Sequence, residues 1–230
     1  MLNLLLMLVA LEPASASVDG NELQWAICEN DPETVMRKLG VRASDENHRK
    51  LYYLETQERD LSRKNITIRY RATKKKVKSN VKTQFALGES IPSDLQRWGV
   101  TCERDIYVQT KKVGCSAKEE PGNVGDLSAN QQAVLSFMGI GPSVISRAKV
   151  WGPVKNDEYE FAFANQEFSL DVVYLDRGET LIELSTRTEG SNYESQFDRL
   201  TAVLQQNGVE LCSEQVGKGR KILDQLMSGR

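Results

Sequence analysis

Residues 66–71 read Ile-Thr-Ile-Arg-Tyr-Arg, a strict alternation of apolar and polar side chains. A strand points successive side chains to opposite faces, so Ile66, Ile68 and Tyr70 share one surface while Thr67, Arg69 and Arg71 share the other. The first is a core face and the second is cationic. A further strand segment follows, carrying Val81, Lys82 and Thr83. The chain must therefore build a sheet with fixed positive charge on one side. On an ordinary half-exposed sheet that side faces water; on a sheet enclosing an interior it would hold an anion.

Strand patterns dominate the rest of the chain, at 22–28, 51–55, 81–87, 102–109, 144–151, 159–163, 168–174 and 181–187. Helices are signalled in four places. Asp31 is placed to cap a helix with Pro32 at its first position and Val35, Met36 and Leu39 on one face, ended by Gly40. Ser128 with Gln131, and Ser191 with Glu194, have capping-box spacing ahead of apolar stripes. A last amphipathic helix spans about residues 218–227. Residues 118–125 form a polar, Gly/Pro-bearing connection and the best candidate boundary between two halves. Lys74, Lys75 and Lys76 read as a solvated hairpin tip. Runs of strands with a few helices predict an α+β domain with a mostly antiparallel sheet. Closing such a sheet into a barrel protects its edges and creates an interior.

At 230 residues the chain can bury a substantial core. Lys+Arg 30 against Asp+Glu 32 leaves a formal net charge of -2, so no nucleic-acid or anionic-membrane partner is expected, and any anion site must be local. Residues 4–11 are apolar and are followed by Pro13 and Ala14-Ser15-Ala16, the small-x-small pattern of a secretory cleavage site, although no Lys or Arg precedes the run. The expectation is a signal peptide over 1–16, a single domain over 17–230, and an exported, periplasmic or extracellular protein with no membrane span in the mature chain. The alternative is a buried N-terminal strand or helix. Export makes disulfides the natural use of Cys28, Cys102, Cys115 and Cys212, whose spacing matches no metal-ligand pattern. Cys102 and Cys115 flank a hairpin with Lys111 and Lys112 near its turn, which favours Cys102–Cys115 with Cys28–Cys212. In a cytosolic protein the four would instead be buried free thiols.

Other catalytic schemes find little support. The sole histidine, His48, lies in a polar stretch; there is no Cys-x-x-Cys pair and no Gly-rich phosphate loop.

The order of the pieces resembles the CYTH superfamily of triphosphate tunnel proteins. The resemblance is carried by Glu22 on a first strand, by Tyr52-Tyr53-Leu54-Glu55-Thr56, by Arg69 and Arg71, by Lys82, and by the late Glu183-Leu184-Ser185 strand. It implies an antiparallel barrel, commonly eight-stranded, with a tunnel in which basic side chains hold a polyphosphate and carboxylates hold Mg²⁺ or Mn²⁺. By that resemblance Arg69, Arg71, Lys82, Arg147 and Lys149 are candidate phosphate ligands. Glu22, Glu183 and Asp171, with Glu55 as a further possibility, are candidate metal ligands. The family's Glu-x-Glu-x-Lys opening is reduced here to Glu22, Gln24 and Ala26, its late Glu-x-Glu to Glu183 and Ser185, and its C-terminal Ser-Lys to Ser213-Glu214. Fewer carboxylates should weaken metal binding. The expectation is a tunnel that binds an anionic small molecule, a polyphosphate or phosphorylated metabolite, with weak or no catalysis. The alternatives are a Mg- or Mn-dependent phosphohydrolase and a non-catalytic envelope scaffold.

Overall fold

The computed structural model describes residues 15–215 and 217–228. Nine strands, β1 (Asn21–Ile27), β2 (Asp45–Glu55), β3 (Ile66–Ala72), β4 (Val77–Ala86), β5 (Thr101–Ile106), β6 (Lys111–Glu119), β7 (Lys149–Phe163), β8 (Gln166–Tyr174) and β9 (Thr180–Thr188), close into one barrel. Their order around it is β1-β5-β6-β4-β3-β2-β7-β8-β9. All neighbours are antiparallel except β1 with β5. Among the described residues five α-helices surround it: α1 (Pro32–Leu39), α2 (Ala129–Phe137), α3 (Pro142–Arg147), α4 (Tyr193–Gln206) and α5 (Lys218–Ser228).

The caps at Asp31 and Ser128 form as the sequence predicts: Asp31 accepts from the Thr34 amide, and Ser128 makes a reciprocal box with Gln131. The box expected at Ser191 does not form, because α4 starts at Tyr193 with Asn192 in the cap position. The strand expected at 144–151 is also corrected. Gly141 and Pro142 open α3 there, with proline's fixed φ suited to the first helical turn, and β7 begins only at Lys149. Residues 118–125 separate no halves, since the strands before and after them belong to the same closed sheet.

Alternation sorts each strand into an outer apolar face and an inner polar one. Outward Ile66, Ile68, Tyr70 and Val81 pack with Val134 and Leu135 of α2. Outward Leu23, Trp25, Leu170 and Leu184 pack under Val35 of α1 and Phe197, Leu200 and Leu204 of α4, with the Trp25 and Phe197 rings stacked at 4.9 Å. A third cluster uses inward residues: Leu51, Tyr53, Val154 and Val173 meet Ile222, Leu223 and Met227 of α5. The C-terminal helix thus stops one end of the barrel with its apolar face.

Both disulfides expected from the sequence are present. Cys102 and Cys115 face each other across β5 and β6 with Cα atoms 4.1 Å apart, and Cys28 joins Cys212 at 4.9 Å. Cys28–Cys212, with the Cys212 amide donating to the Ala26 carbonyl at 2.9 Å, pins the segment leading to α5 beside β1. The segment 1–14 of the expected signal peptide lies outside the described residues. Of the remainder, Ala16 is buried, and its amide donates to the Ile91 carbonyl at 2.9 Å.

Candidate functional site

The inner faces of β2, β3 and β4 form a cationic wall. Tyr53 lies opposite Arg69 and Leu51 opposite Arg71, while Thr67 faces Lys82. Arg69, Arg71 and Lys82 therefore all turn into the barrel. Among the described residues, neither Arg69 nor Arg71 has a hydrogen-bond or ion-pair partner, and the Arg71 Nε is buried without an acceptor. Burial works against the charge of Arg69, but Tyr53, Asp171, Glu183 and Glu22 together raise its pKa at longer range. Arg71 is pushed down to about 10 by Arg69 beside it, then by burial and by Arg49. It is still cationic at neutral pH. Lys82 reaches across to Asp105, with Nζ 2.6 Å from Oδ2. Gly114 on β6 makes this possible, since a Cβ there would overlap both side chains.

The opposite wall is acidic and contains two groups. Glu22 of β1 with Glu103 and Asp105 of β5 form the first, one oxygen of each lying within 4.8 Å of the others. Burial raises the pKa of Asp105 despite Lys82. Arg187 also approaches this group, 3.6 Å from Glu22 and 3.4 Å from Glu103. The second group is Asp171 and Glu183, directly opposed on β8 and β9. Lys218, at the start of α5, is buried between them, with Nζ 2.9 Å from Glu183 and in still closer contact with Asp171. The Asn156 amide donates to Asp171, and the Tyr107 hydroxyl donates to Glu183 at 2.8 Å. Burial alone would raise the pKa of Asp171; Lys218 first, then Arg49 and Arg71, hold it well below the usual carboxylate range. The same acids raise the pKa of Lys218 against its burial.

The barrel fold is also found among solved structures. A Hippeastrum protein with a provisional adenylyl cyclase assignment and a dominant triphosphatase activity matches with TM-score 0.62 and 12% identity, over 89% of this chain and 95% of its own. A provisionally assigned adenylate cyclase from Bacillus halodurans matches with TM-score 0.61 and 11% identity, over 88% and 97%. The chain has the CYTH-like, triphosphate-tunnel fold. No protein-family model matches its sequence, and no curated protein does. Identities this low carry the fold and not the activity. The CYTH-like barrel here has nine strands rather than eight.

Within the CYTH-like barrel the expected residues divide. Arg69, Arg71 and Lys82 converge on the interior. Arg147 does not: it is exposed on α3 and pairs with Asp60 at 2.9 Å. Lys149 is likewise exposed, at the start of β7. Only the last three residues of the strand expected at 144–151 join the sheet, as the start of β7. The expected metal set of Glu22, Glu183 and Asp171 is split between the two acidic groups, and Lys218 already bridges the latter pair.

Glu55 is occupied elsewhere. Its buried carboxylate accepts the backbone amides of Thr56 (2.8 Å), Leu61 (3.1 Å) and Ser62 (2.8 Å), folding the turn after β2. Hydrogen bonds to a charged group contribute about 1.5–3 kcal/mol each, and their loss here would strand buried donors. Glu55→Ala is expected to cost at least about 3 kcal/mol in urea unfolding, with Glu55→Gln retaining part. A loss under about 1 kcal/mol would show that the turn holds without it.

Arg49, Glu103, Asp105, Tyr107 and Lys218 complete the site beyond the sequence reading. Lys218 is the first residue of α5, five positions beyond Ser213.

Proposed function

We propose that the barrel binds a phosphate-rich anion, an inorganic polyphosphate or a phosphorylated metabolite, between Arg69, Arg71 and Lys82, with little or no hydrolysis. The observation that carries this reading is the pair of inward guanidiniums without partners among the described residues. Two cations side by side in a low-dielectric interior repel one another, as the lowered pKa of Arg71 beside Arg69 reflects, and a polyanion offsets that repulsion while offering each guanidinium two oxygens. The triphosphatase activity of the Hippeastrum protein of the same fold supports a phosphate-bearing ligand. Two disulfides support an exported protein in an oxidising compartment. Among the described residues no helix is long and apolar enough to cross a membrane.

A metal-dependent phosphohydrolase is the second reading, favoured by Glu22, Glu103 and Asp105. Their hard oxygen donors suit Mg²⁺ or Mn²⁺, which would supply charge neutralisation at a phosphoryl group. Lys82 and Arg187 already balance much of that acidity. Thermal-shift measurements with tripolyphosphate, pyrophosphate and nucleotides, with and without Mg²⁺, separate the readings, because a ligand of the native state raises its melting temperature. The binder reading expects stabilisation by tripolyphosphate in EDTA and negligible phosphate release. Robust Mg²⁺- or Mn²⁺-dependent release would establish the hydrolase instead, and no stabilisation by any anion would leave a scaffold.

A further inference from the structure

The two acidic groups of the barrel differ in one respect that bears on metal use. Glu22 and Glu103 share the exposed Arg187 at 3.6 and 3.4 Å and Asp105 pairs with Lys82, whereas Asp171 and Glu183 share one buried lysine. Lys218 Nζ touches both carboxylates, and all three residues are buried. The remaining partners of the acids are supplied by the chain: Asn156 on Asp171, Tyr107 on Glu183, and Arg49 at 3.7 Å from Asp171. The lysine is held by its own helix, since Ile222, Leu223 and Met227 of α5 are buried against the inward face of the barrel.

We propose that Lys218 is a built-in cation that takes the place of a divalent ion between Asp171 and Glu183, so that this half of the barrel works without metal. The residues do not fit a divalent ion as they stand. A metal within bonding distance of both acids would need the volume that Nζ fills. With Lys218, Arg49, Arg69 and Arg71 facing the same interior, it would also enter a region already rich in positive charge. Replacing the ammonium by an apolar side chain of similar length leaves two opposed carboxylates, hard oxygen donors of the kind Mn²⁺ accepts, while the Asn156 amide oxygen stays engaged by Arg49 Nε at 2.9 Å.

The test uses the metal alone, without phosphate, so its failure is separate from a failure of the anion reading. Mn²⁺ binding is measured by electron paramagnetic resonance on wild type, Lys218→Met, and Lys218→Met combined with Asp171→Asn and Glu183→Gln. The expected result is a site in Lys218→Met at least about tenfold tighter than any in wild type, abolished in the triple variant, and a melting temperature of Lys218→Met that Mn²⁺ raises. A folded Lys218→Met that gains no site would overturn the proposal. Should that variant not fold, wild type decides by paramagnetic broadening of its amide resonances. Broadening absent, or centred on Glu22 and Asp105, agrees with the proposal; broadening strongest at Asp171 and Glu183 contradicts it.

Discussion

Arg69→Ala combined with Arg71→Ala should weaken tripolyphosphate binding by about a hundredfold to ten-thousandfold. Each guanidinium would give the anion charge-assisted hydrogen bonds of about 1.5–3 kcal/mol, so the pair represents about 3–6 kcal/mol, at about 1.4 kcal/mol per tenfold. The fold should tolerate the loss. Neither side chain has a hydrogen-bond or ion-pair partner among the described residues, and Arg71 sits under the repulsion of Arg69 and Arg49. The melting temperature of unliganded Arg71→Ala should accordingly match or exceed that of wild type. Calorimetric affinities for the single and double variants check the first expectation and a thermal melt checks the second. Unchanged affinity in all three would return both arginines to a merely solvated role.

Lys218→Met should destabilise the native state by about 3–5 kcal/mol at neutral pH, the usual cost of removing one partner of a buried ion pair. Two carboxylates would then be left facing each other. The pH dependence has a definite sign. The folded-state pKa of Asp171 is depressed, so its contribution in wild type is fully present above the unfolded carboxylate pKa of about 3.9 and is lost as pH falls through the folded value. Lys218 is raised, so its contribution is fully present below the unfolded lysine pKa of about 10.4 and is lost as pH rises through the folded value. The gap between wild type and variant should therefore be widest near neutrality and shrink below about pH 4. Denaturant unfolding across pH measures it, and a gap below about 1 kcal/mol at pH 7 would mean that the lysine is dispensable for the pair.

How much of this was legible in the sequence depended on whether a residue's partners were local. Alternation over 66–71 reported that Arg69 and Arg71 share the face opposite Ile66, Ile68 and Tyr70, because a strand face is a property of six consecutive residues, but not that this face looks inward. The same signal failed for Arg49. Residues 45–50 are polar on both faces, one toward solvent and one toward the charged interior, so there was no apolar rhythm to read and β2 was expected to begin at 51. Val144, Ile145, Val150 and Trp151 suggested one strand, although Pro142 after Gly141 carried the helix signal that prevailed. Closure of the barrel rests on pairings between distant segments, such as Ala26 with Glu183 and Glu22 with Asp105, which no local period encodes. The need to protect sheet edges and the family resemblance anticipated closure, but not the pairings. The role of Lys218 was hidden for a related reason: amphipathicity reported which side of α5 packs, and not that its first residue reaches two acids on other strands.

The central claim is that the inward guanidiniums bind a phosphate-rich anion without a metal. Isothermal titration of tripolyphosphate into the protein in EDTA tests it most directly. The account predicts saturable binding to wild type that weakens as salt rises and collapses in the Arg69→Ala, Arg71→Ala double variant. Binding that requires Mg²⁺, or that survives loss of both arginines, would contradict it.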